Sequence, residues 1–323
     1  MVVLISFSPN GKIYTLGYGE HDKGGITLFD SVNHQRILKI ENSTERCLAF
    51  SPDSRYIATL KSNIQIFDIS TGNKIWSFNP NFESVQSFCF SPDGNFFAAV
   101  GEFETDWDFN DPNMTSVALY DLKTGKNIWE NRCGLYSKIL FSPNGKNLYT
   151  IGTADVNRNL TSTVSSANVA KGFFKSIFRE KFRLRFFDFD ISPDGNTLIC
   201  SGGYYHHKQE SVPIIIVDLN SERKKVVDKH STYFTLSKFK QLKGHTKSVN
   251  SVAFSPDGKL AVSTSSDIRI WDTESTKQIH KIKKYSSKAT FSPDGTVLIF
   301  LSEGKLYYND VASWKIIKER QIY

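Results

Sequence analysis

Short apolar runs of five or six residues recur along all 323 positions of the chain, each interrupted by turn-forming residues. Their alternation of apolar and polar side chains predicts strands rather than helices. Pairs of these runs flank one phrase: FSPNG at 7–11, FSPDS at 50–54, FSPDG at 90–94, FSPNG at 141–145, ISPDG at 191–195, and FSPDG at 254–258 and 291–295. Ser at the first position, Pro fixing φ at the second, Asp or Asn at the third and Gly at the fourth suit a type I turn, so each phrase predicts the corner of a β-hairpin. A third run ends in Asp: ITLFD at 26–30, IQIFD at 64–68, VALYD at 117–121, IIIVD at 214–218 and IRIWD at 268–272. A turn such as STGN or KTGK then leads to a fourth run. In the first, second, third and sixth repeats this run carries an Ile seven residues beyond the Asp: Ile37, Ile75, Ile128 and Ile279. The predicted unit is four antiparallel strands, a to d.

Aligned by spacing, VSSANVAKGFF at 164–174 superposes on IQIFDISTGNK at 64–74, with Asn168 in the Asp slot and Gly172 over Gly72. Strand c of this fourth repeat lacks the apolar residues of the others, so its unit is expected to be the least stable. Successive phrases lie 43, 40, 51, 50, 63 and 37 residues apart, and the last 32 residues together with the first 7 make one more period. Four-stranded units of this period that close on themselves form a ring without long free edges. The expected fold is all-β: one seven-bladed β-propeller of four-stranded antiparallel blades over 1–323. Its blades are placed at approximately 1–41, 42–80, 81–132, 133–180, 181–243, 244–283 and 284–323.

The segment LKGHTKSVNSVAFSPDGKLAVSTSSDIRIWD, 242–272, resembles the WD-repeat family, with Gly244-His245 upstream and Trp271-Asp272 closing strand c. The resemblance implies a hydrogen-bonded tetrad of His245, Ser263 or Ser265, Asp267 and Trp271. This repeat alone carries both dipeptides, while the FSPDG-type turns carry the resemblance along the whole chain. It implies the fold and leaves the role open, because the family hosts many functions. Many members of the family share the last blade between both termini. Here VVLISF (2–7) reads as strand a and WKIIKERQIY (314–323) as strand d. Either the ring closes by packing of the last blade on the first, or the natural chain is longer.

Composition narrows the field. Phe and Tyr number 25 and 13 against two Met, a strand-rich profile. The net charge of +7 is moderate for a nucleic-acid-binding domain. No apolar run approaches the ~18 residues of a membrane span. The N-terminus has no basic region ahead of an apolar core, so a signal peptide is not expected and the protein reads as cytoplasmic. Cys47, Cys89, Cys133 and Cys200 are widely spaced and read as reduced, buried thiols. GxSxG, HExxH, P-loop and paired CxxC motifs are absent, and Gly17-x-Gly19 lacks a third glycine. Neither enzymatic activity nor a cofactor or metal is expected.

The connections carry the remaining information. In an antiparallel blade the a–b and c–d turns share one face and the b–c and d–a connections share the other. The first set reads as tight, and the second holds the insertions at 17–25, 102–113, 153–163, 202–212 and 229–247. Variable loops on a rigid scaffold carry binding, so partner contacts are expected from Tyr18, His21, Asp106, Trp107, Asp108, Phe109, Tyr204, Tyr205, His206 and His207. Asp106, Asp108 and Asn110 have the spacing of calcium ligands. However, Asp111 stands where glycine is needed and no bidentate Glu follows, so a contact loop for a basic partner is the better reading. KGFFKSIFREKFRLRFF, 171–187, interleaves phenylalanines with Lys171, Lys175, Arg179, Lys181, Arg183 and Arg185, a mixture that suits RNA. Its position makes it strand d of blade four running into strand a of blade five. In FFDFDI, 186–191, alternation places Phe187, Phe189 and Ile191 on one side. Asp188 and Asp190 on the other either pair with an Arg or line the central channel. The expected role is a non-enzymatic scaffold for a protein or peptide, within a larger complex, bound on the face with the long b–c and d–a loops. The alternative is an RNA- or ribonucleoprotein-binding propeller.

Overall fold

The computed structural model describes residues 2–18, 24–41, 43–102, 115–133, 135–156, 159–179, 184–204, 212–227 and 232–322. Seven antiparallel four-stranded sheets form a ring, and no helix occurs among these residues. Blade one is Val2–Phe7, Ile13–Tyr18, Gly25–Asp30 and Arg36–Glu41. Blade two is Thr44–Phe50, Tyr56–Leu60, Ile64–Asp68 and Lys74–Phe78. Blade three is Ser84–Phe90, Phe96–Glu102, Thr115–Asp121 and Asn127–Cys133. Blade four is Leu135–Phe141, Asn147–Val156, Asn159–Asn168 and Lys175–Arg179. Blade five is Leu184–Ile191, Thr197–Tyr204, Val212–Asp218 and Phe239–His245. Blade six is Ser251–Phe254, Leu260–Thr264, Ile268–Asp272 and Gln278–Ile282, and blade seven is Ala289–Phe291, Val297–Ser302, Lys305–Asp310 and Ile316–Gln321. Each strand a touches the next, and that of blade seven touches that of blade one.

The repeated phrase builds a ring of its own. In all seven copies the buried Ser Oγ donates to the Asp or Asn Oδ1 two residues on at 2.5–2.8 Å. The same hydroxyl accepts the N–H five residues on. The fourth residue returns its N–H to the Ser carbonyl at 2.8–2.9 Å. Six of these fourth residues are glycines with φ of 69–73°. A Cβ on each would stand 3.3–4.0 Å from the Pro Cδ of the preceding blade's turn, an ordinary contact at all but Gly258, where 3.3 Å is slightly tight. Backbone conformation rather than crowding therefore selects glycine. The seventh, Ser54, holds φ at 61° and accepts a hydrogen bond from Asn10 N at 3.1 Å in the preceding turn. Gly11 rests on Pro293, which completes the circle.

The ring closes by packing. Ile5, Tyr14 and Leu16 of blade one share an apolar cluster with Ile299, Leu306 and Tyr308 of blade seven. Arg320 donates to Tyr14 Oη at 2.8 Å and to the His34 carbonyl at 3.2 Å, and lies over the Phe29 ring. His34 Nε2 accepts from the Lys318 ammonium.

Several details differ from the sequence expectation. The 153–163 stretch is not a loop: Asn147–Val156 pairs with Asn159–Asn168 along ten residues each, the longest hairpin present. Its β-branched Thr and Val residues favour the extended ladder despite their polarity. Strand c of blade four is also well buried, through small residues: Ser162, Thr163, Val164, Ser165 and Ala167 are all under 4% exposed. In blade five the stretch 229–247 is not a d–a connection. Strand d is Phe239–His245, and Arg223–Val227 with Thr232–Leu236 forms an inserted hairpin in the c–d connection. An alternating run after Asp218 mimics strand d, which hid the insertion. The supposedly plain face thus carries the largest insertion among the described residues. Finally, a β-bulge between Phe186 and Asp188 leaves Phe186 buried and Phe187 42% exposed, so Phe187 does not share a side with Phe189. Gly202 accommodates the bulge, since a Cβ there would fall 1.9 Å from the Arg185 carbonyl.

Candidate functional site

The tetrad joins two blades: His245 ends strand d of blade five, and Ser263, Asp267 and Trp271 belong to blade six. Trp271 Nε1–H donates to Ser263 Oγ at 2.8 Å, Ser263 Oγ meets His245 Nε2 at 2.7 Å, and His245 Nδ1 lies 3.0 Å from Asp267 Oδ1. Ser265 takes no part in this chain; its hydroxyl donates to the Ser248 carbonyl at 2.8 Å. Arg269 and Lys281 also hold Asp267, at 2.9 and 2.8 Å. Burial, then the neighbouring Arg269 cation, pushes His245 down to about 4. Burial raises Asp267, but the Arg269 and Lys281 hydrogen bonds outweigh it and hold it at about 2. A neutral imidazole donating from Nδ1 and accepting at Nε2 satisfies every partner. Trp271, Ser263 and His245 are enclosed and Asp267 is nearly so, and the tetrad fixes blade six against strand d of blade five.

The channel wall is charged. Lys138 of blade four pairs with Asp188 of blade five and donates to the Phe189 carbonyl at 2.7 Å. Asp188 Oδ2 accepts the Val252 N–H at 3.1 Å and Asp190 Oδ2 the Phe254 N–H at 2.9 Å, both from strand a of blade six. Burial raises the Asp188 carboxyl, yet Lys138 and Lys288 outweigh it and hold the group below the usual range. Burial dominates at Asp190, which is raised, and at Lys288, which is lowered. Asp188 therefore pairs with a lysine rather than an arginine, and both carboxylates lace one blade to the next through the Val252 and Phe254 N–H groups. Lys138 and Lys288 escaped the sequence reading, although a signal was present. Lys138, Asp188 and Lys288 each stand three residues before the Phe or Ile that opens the turn, the slot also held by Ser87, whose Oγ accepts the Ile139 N–H. Among the described residues no group of His, Cys, Asp and Glu is placed to hold a metal ion.

Of the expected contact residues, Tyr18 and Tyr204 fall within the described residues. His21, Asp106, Trp107, Asp108, Phe109, Tyr205, His206 and His207 lie outside the described residues, as do Lys181 and Arg183. Tyr18 ends strand b of blade one. Tyr204 ends strand b of blade five and packs against the apolar cluster of that blade instead of standing free in a loop. Lys171 lies exposed in the c–d turn of blade four, and Lys175 and Arg179 bound its strand d. The apolar members of 171–187 go largely to the core: Ile177, Phe178, Leu184 and Phe186 are buried. Cys47, Cys89 and Cys200 are buried and outside any disulfide.

The rim holds a further set of contacts. The residue eight beyond the strand-c Asp packs on the next blade's c–d turn: Leu38 on Gly72, Trp76 on Gly125 and Trp129 on Gly172. His280 stacks on Trp314 at 5.3 Å in the same relation. Open grooves remain between blades two and three and between blades five and six, with volumes of about 670 and 860 Å³.

Two families match parts of the chain. The WD domain, G-beta repeat family covers residues 236–272, and the eukaryotic translation initiation factor eIF2A family covers residues 3–90. No curated protein matches. The ring resembles a Kuenenia stuttgartiensis hydrazine synthase chain with a TM-score of 0.70 over 99% of this chain and 95% of that one. At 13% identity this likeness shows the fold alone. Solved chains that resemble the ring number 1242, a breadth that selects no function. The chain is a seven-bladed β-propeller, and the stretch from strand d of blade five to strand c of blade six matches the WD domain, G-beta repeat family.

Proposed function

We propose that this protein is a non-enzymatic, cytoplasmic scaffold that presents the face of its b–c and d–a connections to a protein or peptide partner. The supporting observation is the division of labour in the ring. The tetrad, the seven turns of shared hydrogen bonding and the carboxylates that lace strand a of blade five to blade six hold the scaffold. In the sequence, the acidic-aromatic residues 102–113 and Tyr205, His206 and His207 stand outside the repeated turn phrases and the tetrad positions. Aromatic side chains bury large areas at little entropic cost, so a few of them dominate such interfaces. An affinity pull-down with intact protein, read by mass spectrometry, tests this. Trp107→Ala is expected to weaken capture by ~1–3 kcal/mol, while Lys277→Ala and Lys315→Ala in c–d turns leave it unchanged. A partner lost with the lysines and retained with Trp107→Ala overturns the choice of face.

The eIF2A-family match over residues 3–90, together with the net charge of +7, favours a second reading, an RNA- or ribonucleoprotein-binding propeller. Retention on RNA that falls steeply with salt, and that flattens on charge reversal at Arg179 and Lys181, is the outcome that puts this reading first.

A further inference from the structure

Strand d carries a β-bulge in six blades, and the extra residue is an isoleucine each time: Ile37, Ile75, Ile128, Ile177, Ile279 and Ile317. Five of these are 42–60% exposed, whereas Ile177 of blade four is 3% exposed. What distinguishes Ile177 is the hairpin inserted in blade five. Its second arm, Thr232–Leu236, packs against strand d of blade four. Thr235 Oγ1 accepts the Arg179 backbone N–H at 3.3 Å, and Leu236 joins the apolar cluster that contains Ile177 and Ile191 with Leu219 at its margin. The chain thus seats an extended segment of its own on the rim.

The equivalents of Ile177, Ile191 and Leu219 at the interface of blades two and three are Ile75, Phe90 and Leu122. There the three line the open groove of about 670 Å³ together with Tyr56 and Trp76. The same lining carries Asp53 and Asp93 against Lys123, in a molecule whose net charge is positive. We propose that this groove docks an extended segment of a partner protein, with a branched aliphatic side chain inserted beside Ile75 and a Lys or Arg next to it facing the two carboxylates. The chain's own occupant has the same make-up: Leu236 ends the second arm and Lys238 stands two residues on. The proposal rests on the scaffold reading but places this site at the rim on the a–b and c–d side, apart from the long-loop face.

The test pans a phage-displayed library of random 12-residue peptides against the immobilised full chain. Enriched peptides are expected to share a branched aliphatic residue within two positions of Lys or Arg. Binding of the synthetic consensus peptide should weaken about tenfold with Ile75→Asp and severalfold with Asp93→Lys, and not at all with Ile279→Asp. Ile75→Asp adds negative charge, so its loss isolates the apolar contact from the ionic one. If that variant melts early, Ile75→Ala replaces it and should weaken binding about threefold. Enriched peptides that bind Ile75→Asp as well as wild type overturn the groove and leave the scaffold reading intact. An absence of enrichment also overturns the groove, and the pull-down then decides the scaffold reading separately.

Discussion

Where strand d of blade five meets blade six, Trp271 is 1% exposed, and its indole N–H begins a chain of hydrogen bonds through Ser263 to His245, whose ring faces Asp267 at 3.0 Å. In the fourth blade the corresponding positions are Ala167 and Thr150, and the buried Thr150 hydroxyl has no hydrogen-bond partner. Blade four nonetheless contains the longest hairpin, and an arm from its neighbour covers its outer strand. One blade is held by an interior polar network and the other by added apolar cover outside. The repeat therefore tolerates loss of its signature where burial is supplied from elsewhere in the chain.

Removing the cover should have the largest effect. Replacing 222–236 with a short Gly-Ser linker uncovers Ile177, Phe178 and the edge of strand d, and should destabilise the protein by ~3–5 kcal/mol. Limited proteolysis is expected to cut first between 157 and 183; a first cut in blade six instead would refute the brace. Ser263→Ala breaks the tetrad in the middle and leaves both the Trp271 N–H and the His245 ring without their partner. A loss of ~2–3 kcal/mol in denaturant unfolding is expected.

Acid should act on blade six more gently. His245 sits at about 4 against an ordinary 6.5, so below pH 6.5 the unfolded chain takes up a proton that the folded chain refuses. Stability therefore falls as pH drops from 6.5 to 4, and falls further toward 2 as Asp267 is neutralised. Asp194, Asp257 and Asp294 add to the same trend, because Ser hydroxyls and backbone N–H groups in their turns hold them below the usual range. His245→Phe should flatten the part between pH 6.5 and 4, with a midpoint ~2–4 °C less sensitive to acid than wild type. An unchanged pH profile would show that the imidazole is not buried neutral. The smallest effect is a gain: Thr150→Val removes a buried, unpartnered hydroxyl in blade four and should stabilise by ~0.5–1 kcal/mol.

Much of this comparison was legible in the sequence. Seven phrases of the Ser-Pro-Asp-Gly type, four of them with that exact sequence, set the blade count, Trp271-Asp272 marked the tetrad, and Asn168 with Gly172 located the degenerate blade. The isoleucine after each strand-c Asp was visible too, but its meaning was not. Pairing a strand correctly from its sequence does not reveal a bulge, which shows only in the register with its partner. The insertion in blade five was hidden for a related reason. RKKVV and TYFTL alternate as a strand d would, and nothing local to them says that they pair with each other rather than with Val212–Asp218. Contacts between blades, such as Asp190 to the Phe254 N–H, join residues 64 apart and have no local signature. The candidate partner site was the least legible part, since Tyr204, read as a free loop aromatic, belongs to the core margin of its blade.

The circle of turns treats the seam as it treats every other junction. Gly11 meets Pro293 with the same geometry by which Gly258 meets Pro193, although one pair is separated by nearly the whole chain and the other by a single blade. Each turn overlaps the one before it, like roof tiles laid round a cone, so the order of blades is cyclic and has no privileged first member. A circular permutant that links the seventh blade to the first and opens a d–a connection elsewhere would keep every one of these overlaps. The lattice of contacts, rather than the direction of synthesis, defines the molecule.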